Sequence, residues 1–565
     1  MSDGRRGRAL LVVAVLAVAV AARLTSLHWT PLPSTLDGFG YVALARDAIE
    51  TGSFPFARFR ADNMVFTGVL TAVGLVTGER PLYVAQPVVA LTGGASCLTA
   101  MALVRRLART QRWRGRRVTA AMALSGFGLA VSGIYLRRTG QTDEEALALL
   151  LVPLFAIAVH RLFATDGSRL RWGTLTGLLF VAFPLLHTFS SLVVGLVLTG
   201  VLAAWLARIP SRRDAVTAAV VVGGFWVYMW GYYRLAERSL LEVPYVDRVS
   251  AYPGLFLAWV VVLAVTLVWF QRTSARLQRA TVGGAVGLWF VALGANVLRT
   301  VFPGTQSTPT GLVVLVTAFA VPVAFALVGL PLASRDRRQS GPVVLALLLA
   351  PIVVVYFSLT AALTPEYYGT ALRGQTFVHF PVFVLAGLGV AKVAYSDDRS
   401  PTPRGGLGSI RPSRNRVATV LATLFIVAAL VTAPIAFVNL DTLAFPTGAT
   451  ESQFAAATFT AEHVDEQWAS DHPFTRIVAL YYPTATANGT YQPVARWLGG
   501  GAAPTCPTLS RHSWSTTGAH LFPAGSETTT PAALSEWRYR TNVVYDTRGV
   551  DRVWLSRPTE GQAGC

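Results

Sequence analysis

The chain reads as an α-helical protein that crosses a membrane many times, followed by a small α/β domain. Three observations predict this. Hydrophobic residues make up 53% of the 565 residues and charged residues only 14%, more apolar surface than a soluble fold of this length can bury. Apolar runs recur to residue 438, and each is close to the roughly twenty residues that a helix needs to cross a bilayer. Beyond that point the chain turns polar and rich in Thr, Tyr and Trp.

The elements follow in order. Arg5, Arg6 and Arg8 precede an apolar stretch over 9–22. More apolar runs follow it and no A-x-A site precedes the next loop, so it reads as a retained anchor with its start in the cytoplasm. The next basic cluster, Arg105 to Arg117, also belongs in the cytoplasm. Of the two runs before it, 64–78 is short and broken by Gly68, Gly74 and Gly78. It predicts a surface or re-entrant helix, and 82–104 is the return span. Further spans are expected at 118–136, 146–164, 172–187, 189–207, 215–232, 253–271, 280–298, 311–333, 342–360, 377–395 and 417–438, thirteen in all. Basic loops at Arg169/Arg171, Arg212/Arg213, Arg272/Arg276/Arg279, Arg335/Arg337/Arg338 and Arg399 to Arg416 then fall on the cytoplasmic side.

This divides the chain into a transmembrane module, 1–438, and an extracytoplasmic C-terminal domain, 439–565. The net charge of +19 sits in short loops between spans, so it reads as an orientation signal, and no nucleic acid is expected as a partner. In the C-terminal part 476–482 and 542–545 predict strands and 454–466 a helix. Asn488-Gly489-Thr490 is a glycosylation sequon. Cys97 lies in an apolar run as a packing residue; Cys506 and Cys565 stay open between a disulfide and two free thiols.

Polar residues gather on the outer side. The first loop carries Asp37, Arg46, Asp47, Glu50, Arg58, Arg60 and Asp62. Asp37 has two readings, N-cap of a helix starting near Phe39 or catalytic carboxylate. In that helix Tyr41, Leu44, Ala45, Ala48 and Ile49 form an apolar face suited to the membrane interface. The second loop, Arg137 to Glu145, offers Asp143 and Glu144 as helix-starting acids or as an acceptor or second acidic site. Arg137 and Arg138 anchor a span end or meet a lipid phosphate. His187 tops the next pair of spans, and Arg234, Glu237, Arg238, Glu242, Asp247, Arg248 and Arg299 follow. The last outer loop presents Tyr367, Tyr368 and Arg373, with Arg373 the preferred phosphate contact and Arg58 a further candidate. No Walker loop, dinucleotide fingerprint, H-E-x-x-H or paired C-x-x-C occurs, so no nucleotide chemistry is expected.

The first-loop motif Asp37-x-x-x-Tyr41-x-x-x-Ala45, ending in Glu50-Thr51-Gly52-Ser53-Phe54-Pro55, resembles the C-type glycosyltransferase superfamily. Within it the chain is most similar to the dolichyl-phosphate-mannose mannosyltransferases and their prokaryotic relatives. The resemblance implies an external active site, a dolichyl- or polyprenyl-phosphate-linked sugar donor, a glycan, glycolipid or glycoprotein acceptor, and Asp37 as base. The paired acid usual after the first is replaced by Gly38. Thirteen spans with an external tail also resemble oligosaccharyltransferases, whose Trp-Trp-Asp signature is missing. No cofactor is expected, and the sequence leaves a divalent metal undetermined. The competing class, a transporter or flippase, predicts charges within spans and internal repeats; neither is seen.

Overall fold

The computed structural model describes residues 3–164, 168–208, 211–239, 241, 243, 245–303, 308–336, 340–395, 414–438, 448–522, 525–548, 551–559 and 565. Glu242, Arg337, Arg338 and 396–413, which carry part of the charge pattern, lie outside them. In chain order the helical part runs α1 (Asp3–Leu24), α2 (Leu36–Thr51), α3 (Met64–Thr77), α4 (Pro81–Thr110), α5 (Arg116–Val131), α6 (Gly133–Gly140), α7 (Glu144–Ala164), α8 (Arg169–Leu186), α9 (Thr188–Leu206), α10 (Arg212–Arg238), α11 (Val246–Ser250), α12 (Pro253–Phe270), α13 (Ala275–Leu298), α14 (Thr310–Thr317), α15 (Ala320–Arg335), α16 (Gly341–Ala361), α17 (Pro365–Ala394) and α18 (Arg414–Val431).

Among the described residues eleven helices are long and apolar enough to cross a membrane, α14 and α15 counting as one; the pair α5 and α6, bent by 65°, makes a twelfth. The thirteenth expected span, 172–187, is α8, an 18-residue helix that opens on Arg169 and Arg171. The broken run before α4 is the short helix α3, 14 residues ending at Gly78.

α17 is the hub. It is buried from Thr376 to Ala391 and packs against α15, α16, α5 and α4. Its crossing with α15 depends on two glycines, since a Cβ on Gly329 would lie 2.0 Å from the Leu385 carbonyl oxygen and one on Gly389 2.0 Å from that of Phe325. Backbones meet there without side chains, the close approach that small residues permit in membrane bundles.

The C-terminal part contains α19 (Glu451–His463), β1 (Trp468–Ala469), α20 (His472–Tyr481), β2 (Gly489–Thr490), α21 (Gln492–Leu498), β3 (Thr508–Arg511), β4 (Ala519–His520), β5 (Ser526–Glu527), α22 (Pro531–Tyr539), β6 (Thr541–Asp546) and β7 (Val553–Pro558). Five strands form a mixed sheet in the order β2-β1-β3-β7-β6. β1 runs parallel to β2 and β3, and β7 antiparallel to β3 and β6. Under it Arg511 donates to Asp471 at 2.6 Å, both fully buried, and the Trp514 indole donates to the same carboxylate at 3.1 Å. Cys506 and Cys565 are disulfide-bonded, and Cys97 is free and buried.

The expected helix near 454–466 is α19, and the strand at 542–545 lies in β6. The strand expected at 476–482 is instead α20. The alternation in 476–482 is a fragment of a longer pattern, Phe474, Ile477, Val478 and Tyr481, all buried, which has helical spacing. Pro473 in the first turn presets the helix.

One end of the bundle collects the loops of interest. Arg60 bonds Glu144, Asp62 accepts from Thr188, Tyr232 donates to the Ala61 carbonyl, and Trp29 stacks on Phe437. The connections after α1, α6, α8, α10 and α18 therefore share one face, and the C-terminal part docks on it through α20 and α2.

Candidate active site

The site begins with how α2 starts. Thr35 is the N-cap, its hydroxyl accepting the Gly38 N–H at 3.2 Å. The N-cap reading of Asp37 is thus corrected: Asp37 is the second residue of the helix, and the capping bond is made by Thr35. Gly38 is bare because a Cβ there would lie 2.7 Å from Pro33 Cβ and 3.1 Å from the Thr142 carbonyl oxygen. The helix does not lie on lipid by an apolar stripe. Phe39, Tyr41, Val42, Ala43, Leu44, Ala45 and Ala48 are all buried, because α3 and α4 cover one side of it and α20 another.

Asp37 Oδ1 accepts from Arg476 Nη2 at 3.0 Å, a bond between the first loop and the C-terminal part. Arg46 lies over the Tyr481 ring at 4.4 Å, and Phe39 stacks on Phe454 at 5.5 Å. Asp37 and Arg476 open on a cleft of about 990 Å³, also bordered by Tyr41, Arg58, Arg60 and Asn63. Arg58 is ion-paired with Asp47.

A second group lies behind the cleft. Arg60 donates to the Tyr41 hydroxyl at 2.9 Å and to Glu144 at 3.2 Å, and is 3.5 Å from Asp62. Asp62 is fixed in turn by the Thr188 N–H and hydroxyl, at 3.2 and 2.7 Å. Asp143 accepts the Glu145 N–H at 3.3 Å, a cap on α7. Burial would raise the Asp143 carboxyl, but the hydrogen bond with Glu144 and the charges of Arg373 and Arg138 outweigh it and hold it well below the usual range. Buried Glu145 lies 3.6 Å from Arg138 and 3.7 Å from Arg373, with neither oxygen hydrogen-bonded. His187 Nδ1 shares a 2.7 Å hydrogen bond with Ser190, and Nε2 is 3.5 Å from Arg373. Burial pushes the His187 imidazole below its ordinary value, which favours the neutral ring.

Arg373 also faces the Tyr245 ring, 5.2 Å away, and Arg248 lies over it at 4.3 Å. Tyr245 has φ +70°, a left-handed conformation costly for a bulky residue. Its ring closes one end of an apolar groove of about 720 Å³ between α9, α10, α11 and α12, lined by Leu192, Trp226, Trp230 and Phe256.

Of the residues singled out in the sequence, Asp143, Glu144, Arg138, His187 and Arg373 come together, and Asp37 and Arg58 share the adjoining cleft. The others go elsewhere. Arg137 lines a separate pocket with Arg23. Tyr367 donates to the Arg248 carbonyl at 2.8 Å, and Tyr368 stacks on Phe302 at 4.3 Å. Sequence reasoning did not assign Arg60, Glu145, Tyr245 or Arg476 to the site. The helical spacing of α20 places Arg476 on the face opposite Ile477 and Val478, but nothing local in the sequence pairs it with Asp37. Among the described residues no group of three or more His, Cys, Asp or Glu side chains is placed to share one metal ion.

No family model and no curated protein matches this sequence. Its likeness is to solved structures. The oligosaccharyltransferase of Archaeoglobus fulgidus in the apo form superposes with a TM-score of 0.50 and 14% identity over 86% of this chain. The chain spans 65% of that neighbour's length. Archaeal oligosaccharyltransferase AglB in complex with an inhibitory peptide and a dolichol-phosphate gives 0.49 and 12%, covering 84% of this chain and 64% of that one. ArnT from Cupriavidus metallidurans bound to undecaprenyl phosphate gives 0.34 and 15%, covering 96% and 97%. Over 86% of its own length the chain thus shares the fold of the first of these, the Archaeoglobus fulgidus oligosaccharyltransferase.

Proposed function

We propose that the chain is a glycosyltransferase that moves a single sugar, mannose in the first instance, from a polyprenyl- or dolichyl-phosphate donor to a glycan, glycolipid or glycoprotein acceptor. The observation that carries this reading is the junction of three environments at one end of the bundle. An open polar cleft holds one carboxylate, Asp37. Behind it a buried network of acids and arginines ends at Arg373, beside an apolar groove. A lipid-phosphate sugar has the same three parts, and it carries its own leaving group, so no nucleotide or other cofactor is needed.

In the proposed step the acceptor hydroxyl oxygen bonds to the anomeric carbon as the bond from that carbon to the phosphate oxygen breaks. The hydroxyl proton passes to the Asp37 carboxylate, and the electron pair leaves with the phosphate. Arg373, with Arg138 next to it, stabilises that charge in a site shielded from water. The isoprenoid chain lies along Trp226 and Trp230. A single displacement of this kind inverts the anomeric configuration. Arginine-rich loops at the opposite ends of the spans and the bond between Cys506 and Cys565 support an extracytoplasmic site in an oxidising compartment.

The test is transfer by purified protein in lipid, with labelled dolichyl-phosphate mannose, other lipid-linked sugars and a mixed acceptor extract. Transfer by the wild type and none by folded Asp37→Ala is expected, with an inverted product. Equal transfer by both removes Asp37 from the mechanism, and a retained configuration excludes single displacement. The correspondence with an oligosaccharyltransferase fold favours a second reading, transfer of a whole oligosaccharide. A lipid-linked oligosaccharide donor offered in the same assay separates the two.

A further inference from the structure

The candidate base is held by a residue from a distant part of the chain. Three arginines border the cleft. Arg58 is committed to Asp47, and Arg60 to Tyr41, Glu144 and Asp62, so both are neutralised by groups that stay with the fold. Among the described residues the sole ion-pair partner of Arg476 is Asp37, and this pair is open, the side chains being 41% and 45% exposed. An exposed pair contributes little stability, because water and salt screen it. An incoming anion can therefore take the place of Asp37 on Arg476.

Arg476 is also rigidly presented. Its helix is pinned by buried Phe474, Ile477, Val478 and Tyr481, and its entry residue Asp471 is locked by Arg511 and Trp514. A guanidinium on a fixed helix, with an exchangeable partner and its face toward open space, is built to receive a planar or tetrahedral anion. The partner that would leave is the group required to be free as the reaction begins.

We infer that Arg476 determines acceptor specificity: it takes a carboxylate or phosphate carried by the acceptor, and this exchange releases Asp37. This rests on the glycosyltransferase reading above. An acidic acceptor sugar both docks and uncovers the base, whereas a neutral one leaves Asp37 paired.

The test is a binding measurement, so it does not depend on transfer. Full-length protein in phosphatidylcholine nanodiscs is titrated, with saturation-transfer NMR as readout, using glucuronate against glucose and mannose 6-phosphate against mannose. The wild type should prefer each anion roughly tenfold. Arg476→Ala and Arg476→Gln should lose that preference, and Arg476→Lys should keep part of it. Asp37→Ala should strengthen anion binding, because the competing carboxylate is gone. Equal binding of charged and neutral sugars, a preference that survives in both neutral Arg476 variants, or weaker anion binding in Asp37→Ala overturns the proposal. Polyprenyl phosphate added to the discs separates the other source of phosphate: if the Arg476 variants lose that lipid and not the sugar anions, the residue serves the donor and the proposal falls. Failure of transfer with every lipid-linked sugar would sink the enzymatic reading while leaving this result standing.

Discussion

Arg60 Nη2 lies 3.2 Å from Glu144 Oε1 and 2.9 Å from the Tyr41 hydroxyl, so one guanidinium joins the first loop, α2 and the start of α7. Glu144 is almost wholly buried, and Arg60 is its only direct cationic contact within 3.5 Å among the described residues. Removing Arg60 leaves the buried Glu144 carboxyl and the Tyr41 hydroxyl without their hydrogen-bond partner. Arg60→Ala is expected to cost on the order of 2–3 kcal/mol of stability, read as a lower melting temperature in detergent. Glu144→Gln in the same background should add little to the loss, since the contact it would remove is already gone. Additive losses would mean that the pair is not coupled.

The spans could be read because each needs only length and apolarity, which the sequence displays locally. Their bends and contacts could not: the 65° break between α5 and α6 follows no proline, and shows only once Gly133 is seen donating to the Thr432 hydroxyl. Asp37 was legible through its spacing to Tyr41. Arg476 was not, because 439 positions separate it from Asp37 and no local pattern encodes a contact of that range. Tyr367 and Tyr368 both precede Arg373 on α17, and at about 100° per residue neither shares its face. Only Arg373 reaches the Glu145 group.

Arg373 is expected to act on the donor. Its guanidinium is between Glu145, His187 and Tyr245, so Arg373→Ala should lower kcat/KM by roughly 100- to 1000-fold if it stabilises the leaving phosphate. The acceptor KM should change little. Arg373→Lys should restore only part of the rate, because an ammonium cannot reproduce the planar contacts to phosphate and ring. Kinetics with donor and acceptor varied separately check this, and an effect confined to the acceptor KM would reassign the residue.

His520 gives the C-terminal part a sensitivity to acid. Burial, with His472 and Arg511 adding to it, lowers its pKa from the ordinary 6.5 to about 3. Above pH 6.5 the ring is neutral in both folded and unfolded chains. Between that value and about 3 the unfolded chain binds a proton that the folded chain refuses, so stability falls as pH drops through this window. His520→Gln should melt at more nearly the same temperature at pH 7 and pH 4.5 than the wild type does. An equal drop in both proteins would place the sensitivity in other groups.

Gly38 yields a prediction against the family pattern. The resemblance suggests a second acid directly after Asp37, yet a Cβ at 38 would lie 2.7 Å from Pro33 Cβ and 3.0 Å from Thr142 Cβ. Those neighbours cannot give way cheaply. Thr142 is tied to Ser34, Thr35 and Gln86 by hydrogen bonds of 3.3, 2.9 and 3.0 Å, which fasten the loop before α2 to the one before α7. A side chain at 38 must therefore part the two loops, shifting Asp37 relative to Asp143 and Glu144. Overpacking of this kind costs about 1–3 kcal/mol, and misplacement by an ångström can cost about 100-fold in rate. Gly38→Ala should thus be nearly as damaging as Gly38→Asp, both in melting temperature and in transfer. Gly68→Ala on α3, where an added Cβ meets nothing within 4 Å, should melt no lower than the wild type. If Gly38→Asp instead raised activity, the loops would have room for a second acid and the steric account would be wrong.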